Sequence, residues 1–482
     1  MNTTLPVVVI GAGPVGLAAA AHLIERGLTP LVLEAGDAVG AGMSRWAHVR
    51  MFSPWAYTVD RAAGAILAKH DWRAPESTEL QSSAFPTGGE VVERYLRPLA
   101  ATPEIVPHLR LAARVVAVTK QWHDRMKNAG RSDAPFVVRY EDATGEHELL
   151  ARAVIDASGT IDTPNPLGAS GIPALGERAL RARIVYGVPD VLGAERARYA
   201  GKRVLVVGSG HSAFNVLDDL ARLAQQAPGM RIVWALRRSS LARVLGGGEH
   251  DQLQERGRLG LAVGHWVEQG AMTIATGFRL EGLDNTDAGI VAYDGDIVLP
   301  PVDEIITATG FRPDLQLLSE LRLDLDAGTQ SPRALAPLID PNLHSCGSVR
   351  PHGAEELKHP DAGVYIVGMK SYGRAPTFLL LTGYEQVRSV VAAIAGDWQA
   401  ARRVELALPE TGVCITQFAA EDAAEQSSAK VLVAKTSSCC GGPPKADVSA
   451  CCVKDERVKA TGAAGCGCGG TSKLAAAHAA NG

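Results

Sequence analysis

Residues 7–16 read VVVIGAGPVG, a run of apolar, β-branched residues that ends in three closely spaced glycines. The run predicts a parallel strand at 7–10 that is buried on both faces, and the alanine- and leucine-rich residues 17–26 predict a helix. Gly11, Gly13 and Gly16 then form a G-x-G-x-x-G turn, in which a helix N-terminus offers unpaired N–H groups to a pyrophosphate. Glu34 ends the next predicted strand, where a carboxylate accepts hydrogen bonds from an adenosine ribose. The pattern is typical of a dinucleotide-binding domain.

A second strand–turn–helix pattern follows about two hundred residues later. The stretch GSGHSA places Gly208, Gly210 and Ala213 at the same spacing, with alanine as a permitted third residue. The following predicted strand ends at Arg237 and Arg238, and two guanidinium groups there suit a ribose that carries a 2′-phosphate. We therefore predict NADPH rather than NADH at this turn. The alternative is a solvated pair of arginines that binds no ligand.

Composition limits the classes of protein to which the chain can belong. Its 482 residues are 46% hydrophobic and 21% charged, with a formal net charge of −4, as in soluble globular proteins of two or three domains. No apolar run reaches the roughly 20 residues that a membrane-spanning helix needs, and the first residues carry no basic leader. The weak net charge predicts no nucleic-acid partner. We expect a cytoplasmic protein that binds neither nucleic acid nor membrane.

Five motifs in order indicate how the two units are combined: GAGPVG, DASGT, GSGHSA, ATGFRP and GVYIVGMKSYGRAP. Over roughly residues 5–400 this order resembles flavoproteins with two dinucleotide-binding domains, and most closely the flavin-containing and N-hydroxylating monooxygenases. The resemblance implies an α/β fold of two Rossmann-like domains, with an NADPH-binding domain inserted into an FAD-binding domain. The expected boundaries are 1–165 and 326–426 for the FAD domain, 166–325 for the NADPH domain and 427–482 for a tail.

The resemblance also assigns residues to the cofactors. The turn at 11–16 and Glu34 would hold the adenosine diphosphate of FAD, and the second glycine turn with its two arginines would hold NADPH. Trp46 would lie near the flavin, because these enzymes carry a tryptophan after their first glycine turn. Gly159 and Gly310 would lie in the two hinge turns that join the domains.

Near the end of the resemblance, a predicted strand runs into the sequence GMKSYGR. By the resemblance, Gly368 and Met369 would lie beside the flavin, on the strand that returns to the FAD domain. Lys370, Ser371 and Arg374 are the polar side chains on the turn after it, and we interpret them as candidate catalytic residues. The alternative for these three is packing around the flavin or between domains.

The sequence lacks two features of related enzymes, and their absence limits the reactions that we expect. Flavin-containing monooxygenases carry the motif F-x-G-x-x-x-H before their second glycine turn, whereas residues 186–199 here read YGVPDVLGAERARY and lack the histidine. The disulfide reductases of the wider group need a redox-active pair of cysteines. This chain has no cysteine before Cys346, so a disulfide-reductase mechanism lacks its central group.

Six of the eight cysteines lie in the last 44 residues, and from residue 427 the composition predicts a disordered tail. Adjacent cysteines fit the tetrahedral spacing of zinc sites poorly, while soft thiolates on a flexible segment favour soft ions such as trivalent arsenic. The candidate metalloid ligands are Cys439, Cys440, Cys451, Cys452, Cys466 and Cys468. The alternative is a low-complexity segment without function. Cys346 and Cys414 are candidates to receive the substrate, and each alone is otherwise typical of a small buried residue.

The stretches SCGSVRPHGAEELKHP, GMKSYGRAPTFL and LPETGVC, followed by the cysteine-rich tail, resemble the flavoprotein monooxygenases associated with bacterial arsenic resistance. This resemblance implies an NADPH-dependent FAD monooxygenase that uses dioxygen to oxidise arsenite or methylarsenite to the pentavalent form. Such flavoproteins often dimerise, so a homodimer is compatible with it. Two alternatives stay open: an NADPH-dependent flavin reductase or oxidase of another soft or thiol-bound substrate, and a flavoprotein whose tail is a metalloid-binding chaperone arm.

Overall fold

Two parallel sheets, one inserted into the other along the chain, organise the protein. The computed structural model describes residues 4–75, 85–241, 244–245, 254–295, 297–343, 349–375, 378–406 and 430–432. All of them belong to one unit of the chain, residues 1–434. In this part of the chain no helix is both long and apolar enough to cross a membrane.

The first sheet has five parallel strands in the order β16-β7-β1-β2-β3. Its strands are β1 (Val7–Ile10), β2 (Pro30–Leu33), β3 (Leu109–Arg110), β7 (Ala153–Asp156) and β16 (Val364–Ile366). Two antiparallel sheets of three strands accompany the parallel sheets. They consist of β4 (Arg114–Lys120), β5 (Phe136–Asp142) and β6 (Gly145–Ala151), and of β12 (Gly282–Thr286), β13 (Gly289–Asp294) and β14 (Ile297–Val298).

The second parallel sheet has the order β17-β11-β10-β9-β15-β8, and only β17 in it runs antiparallel. Its strands are β8 (Ile184–Tyr186), β9 (Arg203–Val207), β10 (Arg231–Leu236), β11 (Thr273–Thr276), β15 (Glu304–Thr307) and β17 (Lys430–Leu432). Apart from β17, these strands lie between β7 and β16 in the sequence. The second sheet is therefore inserted into the first, as the resemblance predicts.

Helices cover both parallel sheets. Their bounds are α1 (Pro14–Glu25), α2 (Ala41–Ser44), α3 (Arg61–Ala68), α4 (Gly88–Val91), α5 (Arg97–Ala100), α6 (Arg196–Tyr199), α7 (His211–Gln226), α8 (Gln254–Glu268), α9 (Ala336–Ile339), α10 (Ala354–Leu357), α11 (Leu380–Ile394) and α12 (Trp398–Arg402). A π-helical turn spans 92–96, and short 3₁₀ turns lie at 55–57, 106–108, 181–183, 316–318 and 368–372.

Close packing between α1 and β1 determines the shape of the first sheet at its ligand edge. The four residues of β1 are at most 5% exposed. A Cβ atom on Gly16 would lie 1.9 Å from the carbonyl oxygen of Gly11, so only glycine allows the helix to approach the strand this closely. Small alanines along α1 then let it pack against α11 in the same core.

The predicted local elements agree with these bounds to within a few residues. The strand predicted at 7–10 has those limits, and the helix predicted at 17–26 occupies 14–25. Of the predicted tail, the structure describes only residues 430–432. They form β17, which pairs with β11 at the edge of the second sheet. The four domain boundaries stay a prediction.

Candidate functional site

The first glycine turn, residues 11–16, lies where β1 ends and α1 begins. Gly11 has a φ of +99°, and a Cβ there would lie 2.9 Å from the carbonyl oxygen of Ala157. A Cβ on Gly13 would have no atom within 4 Å, so the space beside the first turn of α1 is open. An open N-terminus of a twelve-residue helix fits a pyrophosphate group.

Glu34 lies at the end of β2, beside the first glycine turn. Its Oε2 accepts the N–H of Ala12 at 2.6 Å, and its Oε1 accepts the N–H of Gly36 at 2.8 Å. These two bonds fix the carboxylate at the carboxyl edge of the sheet. A carboxylate oxygen has a second lone pair, so each can still accept a ribose hydroxyl. The predicted role in FAD binding fits this placement.

The second glycine turn, residues 208–213, repeats the arrangement between β9 and α7. Gly208 has a φ of +136°, and a Cβ there would lie 2.3 Å from the carbonyl oxygen of Ala308. Gly210 again has nothing within 4 Å of a Cβ position, while Ala213, in the first turn of α7, is fully buried in the core. The turn therefore fits a second pyrophosphate, as expected for NADPH.

Arg237 and Arg238 follow the carboxyl end of β10, the strand next to the second glycine turn. Arg237 is exposed and donates a hydrogen bond to the carbonyl oxygen of Ala169 at 3.2 Å. The carbonyl of Arg238 accepts the N–H of Gly277, which joins this turn to the one after β11. Both arginines lie at the sheet edge where the ribose of a bound dinucleotide is expected.

The two predicted hinge glycines lie in the segments that connect the sheets. Gly159 and Gly310 have φ values of +72° and +87°. The N–H of Asn165 donates to the carbonyl of Gly310 at 2.9 Å, and the N–H of Arg312 donates to the carbonyl of Thr163 at 3.0 Å. The outgoing and returning connections therefore run side by side, as expected of a paired hinge.

A fully buried ion pair lies beneath the turn that follows β16. Lys370 Nζ lies 2.6 Å from Asp156 Oδ2 and 3.0 Å from Ser158 Oγ, and neither charged side chain is exposed. The second oxygen of Asp156 accepts the N–H and the hydroxyl of Ser158. This arrangement joins the turn after β16 to the turn after β7, and Lys370 faces protein rather than solvent.

The other predicted residues of this turn have different surroundings. Ser371 is fully buried and donates its hydroxyl to the carbonyl of Gly368 at 2.7 Å. Met369 is half-buried beside Gly368, and Arg374 is exposed. Lys370, Ser371 and Arg374 thus lie on one turn, but their side chains do not share one environment. Their catalytic role stays a prediction.

Arg374 has the guanidinium group of Arg312 as a neighbour. The sequence motifs did not indicate this pair. Arg312 donates to Asn165 Oδ1 at 2.8 Å and to the carbonyl of Gly171 at 3.1 Å, while Arg374 donates to Gln330 Oε1 at 2.6 Å. Burial, and then the charge of Arg374, lowers the pKa of Arg312. Among the described residues, neither arginine has a carboxylate at ion-pairing distance. The pair is a source of uncompensated positive charge close to the predicted flavin turn.

Trp46 lies in the loop after α2 and packs against the core of the first sheet. Its ring fills the space beside Gly88, where a Cβ would lie 2.8 Å from two ring carbons. All eight cysteines, including the six predicted metalloid ligands, lie outside the described residues. Within the described part of the chain, no group of three or more histidine, cysteine, aspartate or glutamate side chains has a metal-binding arrangement.

Two kinds of relative match the sequence. The profile of the family described as pyridine nucleotide-disulphide oxidoreductase matches residues 8–335. The flavin-containing monooxygenase 1 of Homo sapiens is 26% identical over 228 residues, which is 46% of this chain and 38% of that protein. The chain spans less than half the length of the curated relatives that it matches.

Solved structures share the fold at low sequence identity. The bacillithiol disulfide reductase of Bacillus cereus has a TM-score of 0.57 at 18% identity, over 81% of this chain and 99% of that one. The cadaverine monooxygenase DfoA of Erwinia amylovora, solved with FAD bound, has a TM-score of 0.56 at 16% identity, over 85% of this chain and 100% of that one. These likenesses confirm the predicted fold class of two Rossmann-like units.

The buried ion pair gives a prediction for stability. Lys370→Met would leave the charge of Asp156 buried without a charged partner, and we expect this to lower the free energy of unfolding by about 3–5 kcal/mol. The midpoint of urea unfolding of the cofactor-free protein, followed by far-UV circular dichroism, measures the effect. Adding Asp156→Asn should recover part of the lost free energy of unfolding, because the unpaired buried charge is then removed.

Lys358→Met is the matched control. Lys358 forms an exposed ion pair with Glu355 at 2.7 Å, and loss of an exposed pair costs about 1 kcal/mol at most. Equal unfolding midpoints for Lys370→Met and Lys358→Met would contradict the assignment of Lys370 as a buried charge.

Proposed function

The chain belongs to the pyridine nucleotide-disulphide oxidoreductase family, and from that premise we propose that it is an NADPH-dependent FAD monooxygenase that oxidises a trivalent arsenical, arsenite or methylarsenite, to the pentavalent form. The observation that carries the proposal is the pair of open glycine turns in two separate parallel sheets. One chain with two such turns can hold an electron donor and a redox cofactor together. The flavin-containing monooxygenase among its relatives supports the reaction class.

The charged residues beside each glycine turn indicate which cofactor it binds. Glu34 beside the first turn suits the unmodified adenosine ribose of FAD, and Arg237 and Arg238 beside the second suit the phosphorylated ribose of NADPH. When bound, FAD supplies the two-electron chemistry that links NADPH oxidation to the activation of dioxygen. The protein's part is to bind and orient both cofactors and to keep water from the flavin.

The cysteine distribution favours dioxygen over a disulfide as the electron acceptor. A disulfide reductase needs two thiols beside the flavin, and residues 1–345 contain no cysteine. The proposed overall reaction balances without such a dithiol: the trivalent arsenical, dioxygen, NADPH and a proton give the pentavalent arsenical with one added oxygen, NADP⁺ and water. The arsenic centre loses two electrons, and NADPH supplies the other two that dioxygen needs.

The product gives the paired arginines a role. Pentavalent arsenic oxyacids are anionic at neutral pH, whereas arsenite is neutral. Arg312 and Arg374 carry uncompensated positive charge beside the turn at 368–372, and guanidinium groups bind planar or tetrahedral oxyanions well. We place the developing oxyanion near this pair. An amine, thiol or sulfide substrate would not need such charge.

The six tail thiols are proposed to capture the trivalent arsenical and to release the pentavalent product. Soft thiolates bind trivalent arsenic, whereas the pentavalent arsenic centre of the product is harder and binds them weakly. Tethering raises the local concentration of the substrate without requiring a folded pocket. The second candidate function, a chaperone arm on an unrelated flavoprotein, predicts binding by the tail without turnover.

The first test measures NADPH and oxygen consumption by the purified, FAD-loaded protein with arsenite, methylarsenite or no addition, with arsenic speciation in parallel. We expect an arsenical to stimulate both consumptions equally and to appear as the pentavalent species. NADPH oxidation without oxygen uptake would instead favour the reductase. If no arsenical changes the rate of NADPH oxidation and none is oxidised, arsenicals are excluded as substrates. Amines and sulfides would then be tested.

The tail is tested by removing residues 435–482, which keeps β17 paired with β11. We expect KM for the arsenical to rise on the order of tenfold or more as the tethering effect is lost, with basal NADPH oxidation unchanged. The full-length chain with its six tail cysteines changed to serine is the matched variant. An unchanged KM in that variant would show that the thiols take no part in substrate capture.

The cofactor preference is tested at the second sheet. Arg237→Ser and Arg238→Ser each remove a charged donor for the 2′-phosphate, and we expect kcat/KM for NADPH to fall about tenfold or more while that for NADH stays constant. Arg231→Ser, at the opposite end of β10 and also exposed, is the control and should change neither value. Equal losses with both nucleotides would contradict the phosphate contact.

A further inference from the structure

Behind the turn at 368–372 lies a closed set of buried hydrogen bonds that the proposed reaction does not use. It joins Gly368, Ser371, Gln386 of α11 and His352, which precedes α10. Gln386 and Ser371 are 0% exposed and His352 is 3% exposed. We refer to these four residues as the Gln386 network. A buried polar group of this kind is stable only if each atom has a partner.

The backbone of Gly368 fixes the orientation of the Gln386 amide. Gln386 Oε1 accepts the N–H of Gly368 at 2.7 Å, so the amide nitrogen points the other way and can only donate. It lies 2.9 Å from Ser371 Oγ and 2.9 Å from His352 Nε2. Ser371 in turn donates to the carbonyl of Gly368 at 2.7 Å. Both polar atoms of Gly368 are therefore held by one network.

The same bonds determine which nitrogen of His352 carries a proton. Because the Gln386 amide nitrogen donates, His352 Nε2 must accept and carry no hydrogen. His352 Nδ1 then carries the proton and donates to the carbonyl of Arg350 at 3.0 Å. Only the neutral imidazole satisfies every bond. A protonated ring would bring an N–H group against the amide NH₂ group, where no acceptor is present.

The surroundings favour this neutral form. Burial lowers the pKa of His352 from its ordinary value of 6.5. The charged groups that face it are Arg350, Glu356 and Glu385, and the ring of Tyr372 lies 5.7 Å away. Glu385 is paired with Arg388 at 2.7 Å, and Glu356 accepts a backbone N–H at 3.0 Å. The carboxylates near His352 are thus already engaged.

Gly368 connects this network to the first glycine turn. It follows β16 with a φ of +67°, and a Cβ there would lie 3.3 Å from a methyl group of Val15 at the start of α1. A displacement of Gly368 would therefore push on the helix whose N-terminus faces the pyrophosphate site. The position of Gly368 matters for the shape of that site.

We propose that His352, acting through Gln386, is a positioning residue for cofactor binding: its neutral ring holds the Gln386 amide in the orientation that fixes Gly368 and Ser371, and its protonation releases the turn and weakens binding of FAD. His352 and Gln386 need not touch the cofactor. The inference rests on the proposed function, since it takes the turn at 368–372 to lie beside FAD.

The test measures the dissociation constant of FAD for the cofactor-free full-length protein by fluorescence titration between about pH 5.5 and pH 8. In a loosened turn the imidazole takes up a proton near its ordinary pKa of 6.5, whereas the intact network, which is the form that binds FAD in this proposal, resists protonation. Affinity should therefore be full above pH 6.5 and fall as the pH drops below that value. We expect a loss of about tenfold at the acidic end, the cost of one buried hydrogen bond.

Two substitutions separate positioning from packing. His352→Gln offers an acceptor that cannot ionise, so we expect wild-type affinity at pH 8 and no decline on acidification. Gln386→Glu replaces the donor by a carboxylate that accepts from a protonated His352, so its profile should reverse, with tighter binding at low pH. His359→Gln changes another buried histidine outside the Gln386 network and should keep the wild-type profile.

Each other outcome has a definite meaning. If His352→Gln declines at low pH as the wild type does, or if the wild type binds FAD tightly with no pH dependence, the positioning role is wrong and the proposed function is untouched. If the wild type binds no FAD at any pH, the proposed function itself fails. A thermal melt of each cofactor-free variant at both ends of the pH range identifies any that has simply unfolded.

Discussion

The ion pair between Lys370 and Asp156 is the interaction that closes the fold. It joins residues 214 positions apart with no exposed atoms on either charged side chain, and every strand of the second sheet except β17 lies between them in sequence. Burying two charges costs several kcal/mol each, so such a pair adds little net stability but strongly penalises any arrangement that separates its members. Its effect is on specificity. It favours the one register in which β16 lies beside β7, with Ile366 opposite Asp156, and so returns the chain to the first sheet after a long insertion.

The residues that follow β7 and β16 also line the first ligand site. Ala157, directly after Asp156, presents the carbonyl oxygen that excludes any side chain at Gly11, and Gly368 packs on Val15 at the start of α1. The residues at the carboxyl ends of β7 and β16 therefore pack directly against the first glycine turn and the start of α1. Because the carboxyl ends of parallel strands meet at one edge of a sheet, fold closure and ligand binding depend on the same few backbone positions. The Gln386 network lies behind this edge and holds both polar backbone atoms of Gly368.

Local patterns were sufficient to predict the strands, the glycine turns and the insertion, because glycine spacing and apolar runs are properties of neighbouring residues. Long-range partners were beyond such patterns. Lys370 follows a strand predicted to lie beside the flavin, and the sequence suggests a side chain that can contact the ligand. In the structure this side chain is fully buried, because it pairs with Asp156. Gln386 occurs in an apolar helix without any motif, and its importance is visible only when Gly368 and His352 come together around it. The sequence offered no signal for it, because the burial of its neighbours Glu385 and Val387 is visible only in the structure.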